Sequence, residues 1–258
     1  MLTTDQLRHC APSIFATAPY EKMSEKYRFV PTIDVVNELS QNGFLPVKAA
    51  QARTRIEGKG DFVRHVIRFR HRELNEAKVG DSIPEIVLLN SHDGSSSYKI
   101  MMGMFRLVCS NGMVVASGMI DEIAARHSGK QGIVQEVIDG SFRVIENAPK
   151  VMKQVQDWQS KTLTDRQQVA YANAALELRD STLKIDPAEI LAPHRGADAG
   201  NDVWRTFNRV QENMIRGGMS GMSEVGIRRT TRAVKSCAAD VKLNRALWRL
   251  TEELAKVA

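Results

Sequence analysis

Residues 61–72 read DFVRHVIRFRHR. Apolar residues and arginines alternate along this stretch. Val63, Ile67 and Phe69 fall on one parity, with His65 and His71. Arg64, Arg68, Arg70 and Arg72 fall on the other, with Val66 among them. Successive side chains of a β-strand point to opposite faces, so a period of two predicts a strand with one apolar and one basic side. To its N-terminal side, VKAAQARTRI reads as a partner strand across the turn EGKG, with Gln51, Arg53 and Arg55 sharing a face. To its C-terminal side, IPEIVLLN and SYKIMMGMFRLVCS flank NSHDGSSS, a turn rich in Asn, Asp, Gly and Ser. LVCS and MVVAS then flank Asn111-Gly112, the residue pair that a type I′ hairpin turn prefers. Residues 45 to about 118 therefore predict an antiparallel meander.

The flanking regions have other periods. Residues 1–31 read as irregular, punctuated by Pro12, Pro19 and Pro31. Thr32 is placed to cap a short helix with Ile33, Val36 and Leu39 on one stripe, ended by Gly43. Beyond the strands, Val134, Ile138, Phe142, Ile145, Met152 and Val155 make one helical stripe bent at Pro149. Thr164 and Gln167 form a capping box, and Asp186, Pro187 and Glu189 open a short helix. VWRTFNRVQENMI is a helix ended by Gly217-Gly218. MSGMSEVGIRRTTRAVKS reads as a flexible basic loop. The last helix has Leu243, Leu247, Leu250 and Leu254 on one stripe. The expected class is α+β, an antiparallel β-meander with a basic face followed by a helical C-terminal half. The expected organisation is an irregular segment 1–31, a meander core with its long helix at 32–160, and a helical region with the basic loop at 161–258.

Composition narrows the function classes. Of 258 residues, 43% are hydrophobic and 26% charged, with a net charge of +6. That balance leans toward acidic partners, nucleic acid or an anionic membrane, and equally fits a solvated basic surface. Cys10, Cys109 and Cys237 are far apart and make no zinc spacing, the usage of a reduced, cytoplasmic protein. The first residues show no signal-peptide pattern, and no window approaches the ~18 apolar residues of a membrane span.

No nucleotide-binding, metalloprotease or nucleophile-elbow motif occurs. His65 and His71 would need further ligands to hold a metal, and packing on the apolar face explains them. His92 and Asp93 sit in a turn, and Asp121 and Glu122 are a lone acidic pair. Cys109 shares a parity with Phe105 and Leu107, which suits a buried thiol better than a nucleophile. The expectation is no catalytic residue, no metal and no cofactor.

Arginines carry the best functional signal. Arg64, Arg68 and Arg70 on one strand would face Arg53 and Arg55 across the hairpin. Like charges opposed on a sheet repel. Such a face either binds phosphates or has acidic neighbours from elsewhere in the fold. Arg228, Arg229, Arg232 and Lys235 make a second cluster, a backbone-binding loop or a solvated linker. Asn208, Gln211, Glu212 and Asn213 crowd one helix, as contacts to a partner or as a buried polar network.

Three segments, SYKIMMGMFRLVCSNGMVV, DVWRTFNRVQENMIRGG and VKLNRALWRL, resemble the phage- and plasmid-borne proteins catalogued as domain of unknown function nine hundred and thirty-two. The likeness runs from roughly residue 25 to the end. Its most specific parts are RLVCSNG at 106–112 and W-x-x-F-N-R-x-Q-E-N at 204–213. The resemblance implies a mobile-element origin and brings no activity, cofactor or catalytic residue. In outline the chain is also similar to the ring-forming annealing proteins of phage recombination, which bind single-stranded DNA along a positive groove; fold alone does not establish function. The expectation is a non-enzymatic, homo-oligomeric binder of nucleic acid, single-stranded DNA first. The alternative is a protein-interaction module that inhibits a host defence factor.

Overall fold

The computed structural model describes residues 1–74, 82–106, 112–114, 123–125, 132–179 and 182–258. Cys109, Asn111 of the Asn-Gly turn, and the Asp121–Glu122 pair lie outside them. The chain divides into two compact units, residues 1–108 with 118–149, and residues 109–117 with 150–258. The later division falls at Pro149, and residues 1–31 belong to the first unit.

In the first unit, residues 1–31 are not irregular throughout. Helix α1 (Thr4–Cys10) is opened by a capping box between Thr3 and Gln6, and a 3₁₀ turn follows at Pro12–Phe15. The T-x-x-Q signature was present in the sequence. Helix α2 (Thr32–Gln41) starts at Thr32 after Pro31, so Thr32 is not its cap. Gly43 turns the chain out of α2 with φ +88°, and a Cβ there would lie 2.9 Å from His71 Nε2.

The first four strands of the expected meander form, while the hairpin expected around Asn111-Gly112 lies in part outside the described residues. β1 (Phe44–Gln51), β2 (His65–His71), β3 (Ser82–Asn90) and β4 (Tyr98–Arg106) pair antiparallel in chain order. β5 (Gly112–Val114) belongs to the second unit, and β6 (Ile123–Ala125) pairs with β4. Register puts Ala49, Ile67, Leu88 and Ile100 in one row, and Phe69, Ile86 and Met102 in the next. All are buried. Val35, Val36 and Leu39 of α2 are also buried, and α2 packs on β1. Residues 133–149 of the long helix α3 (Ile133–Ser160) bring Phe142 to Phe44, ring centroids 5.3 Å apart. Each large apolar side chain buried this way contributes about 1.5–3 kcal/mol.

The turn after β3 is held by Asp93. Its carboxylate accepts from the Ser95 N–H at 3.0 Å and pairs with Lys59 Nζ at 3.0 Å. Burial pushes this carboxyl up, but hydrogen bonds from Ser95, Lys59 and Ser91 outweigh it and bring its pKa from 3.8 to about 2. The unfolded chain binds this proton more tightly, so the group's stabilisation is complete above about pH 4 and is lost as pH falls toward 2. Asp93→Asn is expected to flatten the acid limb of urea-midpoint measurements over that range. An unchanged slope in the variant contradicts this assignment.

The second unit contains α4 (Asp165–Glu177), β7 (Lys184–Ile185), α5 (Pro187–Leu191), α6 (Val203–Arg216), β8 (Ser220–Met222), β9 (Arg228–Thr230) and α7 (Cys237–Lys256), with residues 150–160 of α3. The Thr164–Gln167 capping box and the Asp186 cap, which accepts from the Ala188 N–H, are both formed. The core is aromatic: Trp158, Trp204, Phe207 and Trp248 touch one another, with Trp158 and Trp248 centroids 4.6 Å apart. On α7 Leu243, Leu247, Trp248 and Thr251 are buried, and Leu250 and Leu254 are half-buried. The basic segment 219–236 is not a loop throughout. β7, β8 and β9 form a three-stranded antiparallel sheet. The tight β8–β9 turn around Gly226, φ +76°, allows this hairpin. Among the described residues, no helix is long and apolar enough to cross a membrane.

Candidate nucleic-acid interface

The first basic stripe is largely committed within its own unit. β2 alternates as its sequence predicts, with His65, Ile67, Phe69 and His71 buried and Val66, Arg68 and Arg70 half-buried. Arg68 lies opposite Lys48 on β1 and Val87 on β3. The positive charge gathered here meets Glu85 of β3, only 2% exposed. Arg68 donates to Glu85 Oε2 at 2.7 Å, and Arg70 donates to Oε1 at 2.7 Å. Arg64 donates to the Ser95 carbonyl at 2.5 Å. Arg53 and Arg55 do not extend the stripe. β1 ends at Gln51, and both arginines lie exposed in the connection to β2. That connection leaves the sheet earlier than EGKG suggested, because Ala52 N–H still bonds Arg64 O and the chain then folds into a 3₁₀ turn at Gly60–Phe62.

His71 of the apolar face lies 3.2 Å from the Asn42 carbonyl, whereas His65 joins His92 in a buried polar network. Thr32 Oγ1 lies 3.0 Å from both His65 Nε2 and His92 Nε2 and 3.2 Å from Tyr98 OH, and it accepts from Asn90 Nδ2 at 3.0 Å. Ser13 Oγ is 2.9 Å from His65 Nδ1. All six side chains are fully buried. A serine against an imidazole is the first element of a nucleophile–base pair, but here Thr32 takes up the other nitrogen and the group has no exposed atom for a substrate to reach. The hydrogen bonds that Thr32 of α2 makes to these groups fix the packing of α2 on the sheet. Among the described residues, no group of three or more His, Cys, Asp or Glu side chains is placed to hold a metal ion.

The amide-rich helix α6 is buried on its polar side as well as its apolar one. Asn208 donates to the Trp204 carbonyl, and Gln211 donates to Asn244 Oδ1 of α7 at 3.0 Å. Asn213 donates to the carbonyls of Ile190 and Ala192 at 2.9 Å each, and its Oδ1 lies 2.6 Å from His194 Nε2. Glu212 pairs with Arg195 at 3.0 Å. These contacts tie α5, α6 and α7 together inside the second unit, and 3–6% exposure leaves the amides and Glu212 little surface to offer a partner.

The second basic cluster stays open. Arg228, Arg229, Arg232 and Lys235 are exposed, and no carboxylate pairs with them among the described residues. Their backbone is nonetheless fixed. Gly218 N–H bonds Thr231 O at 2.8 Å, Thr231 N–H bonds Met219 O at 3.0 Å, and Val234 N–H bonds Ile215 O at 2.8 Å. Arg179, just past α4, donates to the carbonyls of Met214 and Arg232. Gly217 permits the close approach: a Cβ there would lie 2.6 Å from the Arg232 backbone. The result is a cleft of about 760 Å³ lined by Arg179, Thr182, Arg229, Thr230, Thr231 and Arg232. Burial lowers the Arg179 pKa from its ordinary value. Guanidinium groups and hydroxyls around one concavity, with no carboxylate among the described residues of its lining, suit a phosphate. Sequence reading found Arg229 and Arg232 but missed Thr230 and Thr231 between them, and Arg179 and Thr182, which lie far from them in the chain.

A family model described as Domain of unknown function (DUF932) matches residues 19–248, and the chain belongs to that family. Two proteins of Escherichia coli (strain K12), UPF0380 protein YafZ and UPF0380 protein YfjQ, are each 40% identical to it over 256 residues, covering 98% of this chain and 91% of theirs. No solved structure matches the chain.

Proposed function

We propose that this member of the DUF932 family is a non-enzymatic nucleic-acid-binding protein of the cytoplasm, encoded on a phage or plasmid, that holds single-stranded DNA by its backbone and works as a homo-oligomer in strand annealing. The observation that carries the reading is the cleft of Arg179, Arg229 and Arg232, with no carboxylate among its described lining residues, beside the exposed Arg228 and Lys235. Contacts of this type neutralise phosphates and release counterions without reading bases. The scarcity of aromatic residues, 6% of the chain and largely buried where they cluster, agrees with backbone binding over base recognition. The stripe of Arg64, Arg68 and Arg70 contributes less, because Glu85 already offsets two of its charges.

The test is fluorescence-anisotropy binding of a labelled single-stranded oligonucleotide to the wild type and to Arg229→Ala/Arg232→Ala. Both side chains are exposed, and Arg179 bonds the Arg232 carbonyl rather than its side chain, so the variant keeps its fold. Loss of two phosphate contacts is expected to weaken binding at least about tenfold at low salt and to make the salt slope shallower by roughly 1.4. Equal binding by both proteins refutes the assignment of these residues. A wild type that ignores DNA but captures a protein from host lysate is an interaction module instead.

A further inference from the structure

The β8–β9 hairpin ends in an apolar tip. Val225 is 77% exposed, Ile227 51% and Met222 45%. Turns in water ordinarily carry Asn, Asp, Ser or Gly, and three large apolar side chains within six residues is an unusual way to meet solvent. The tip is held in one conformation. Ser223 N–H bonds Ile227 O at 3.0 Å, Gly226 N–H bonds Ser223 O at 2.9 Å, and Ile227 N–H bonds Ser223 Oγ at 3.1 Å. Its base is anchored as well. Gly221 is buried against β7, where a Cβ would lie 2.8 Å from the Lys184 carbonyl oxygen, and Ser220 N–H bonds Glu189 Oε2 at 3.1 Å. A rigid stem projecting an apolar point is built to press into something.

The charges beside the tip identify what that is. Arg228 lies directly across from Met222, and Arg229 across from Gly221. Arg229 also lines the arginine- and threonine-lined cleft. Glu224 is the one carboxylate between residues 218 and 235, against the cations Arg228, Arg229, Arg232 and Lys235. A ligand that offers anions at the stem and flat apolar surfaces at the tip is a nucleic-acid strand. Its phosphates lie outside its stacked base faces, and aliphatic wedges are known to separate such stacks.

We propose that the β8–β9 hairpin is a wedge, with Val225 and Ile227 entering between adjacent bases of a strand whose phosphates Arg228 and Arg229 hold. This rests on the nucleic-acid reading above and gives that site its mode of engagement: backbone grip at the stem, unstacking at the tip. Because aliphatic side chains form no hydrogen bonds to base edges, the insertion carries little sequence preference.

The experiment uses the full chain and a single-stranded oligonucleotide bearing one 2-aminopurine flanked by adenines, whose fluorescence is quenched while the base is stacked. Saturation with the wild type is expected to brighten it at least about twofold, as an inserted side chain breaks the stack. Val225→Ser/Ile227→Ser, added to saturation, is expected to lose most of that brightening. Its circular dichroism spectrum is expected to superimpose on that of the wild type, which separates loss of the wedge from misfolding. A wild type that saturates the oligonucleotide without brightening overturns the wedge and leaves the binding reading standing. A wild type that binds no oligonucleotide overturns the reading and the wedge together. Flotation with phosphatidylserine vesicles that depends on Val225, without brightening, makes the tip a lipid-inserting element and overturns the wedge.

Discussion

Trp248→Ala is expected to destabilise the second unit by about 3–5 kcal/mol, a cost typical of truncating a buried aromatic. The Trp248 side chain is fully buried. Its ring lies 4.6 Å from Trp158, 5.8 Å from Phe207 and 6.5 Å from Trp204, centroid to centroid, and its Nε1 donates to Glu252 at 3.2 Å. Alanine leaves a cavity ringed by three aromatic side chains that cannot collapse toward one another without losing their own contacts. A loss of this size is a large part of the ~5–15 kcal/mol that holds a domain together. Thermal unfolding followed by circular dichroism is expected to show a midpoint lowered by roughly 10 °C. Fluorescence is a poor probe, since all three tryptophans sit in the affected cluster. Trp248→Phe, which keeps a ring in place, is expected to cost clearly less. A shift under about 2 °C for the alanine variant means that the cluster does not organise the unit as described.

Glu85→Ala is expected to cost about 3–5 kcal/mol in the first unit, because it leaves two guanidinium groups, inside a sheet, without the carboxylate they share. Arg68 and Arg70 side chains are 14% and 27% exposed and Glu85 is closed off from water. Neither arginine can swing fully into solvent without uncovering the sheet. Replacing all three by apolar residues, Arg68→Met/Arg70→Met/Glu85→Leu, is expected to restore most of the lost stability, since the desolvation of the ions disappears with them. Urea midpoints of the single and triple variants measure both effects. A triple variant as unstable as Glu85→Ala shows that packing and not charge pairing sets the cost. Glu85 also decides where binding is sought, since it offsets the stripe in the first unit, while among the described residues no carboxylate pairs with the second cluster.

The meander was legible because an antiparallel strand records its surroundings at period two, and DFVRHVIRFRHR kept that period over the whole of β2. The helix caps at Thr164 and Asp186 were legible for a similar local reason. What the chain hid is non-local. Glu85 stands alone in the apolar run IPEIVLLN, and a carboxylate there needs a cation from a neighbouring strand. Setting it against the arginines of β2 would have revealed the pairing that neutralises them. Arg53 and Arg55 were misplaced because a hairpin was assumed to run straight to its turn, whereas pairing ends at Gln51. The β8–β9 hairpin was missed because its strands are three residues each and its turn is apolar, against the usual turn composition. The amides of α6 gave a true signal of something unusual, a helix buried on nearly every side, but only the contacts to Ile190, Ala192 and Asn244 say why they are there.

Backbone binding of single-stranded DNA through the second unit is tested most directly by the salt dependence of affinity. Titration of a single-stranded oligonucleotide at several salt concentrations is expected to give a logarithmic slope near −2, about −0.7 for each phosphate neutralised by the cleft arginines. That slope should stay the same for oligonucleotides of different sequence. A slope near zero, or no binding at about 50 mM salt, contradicts the account.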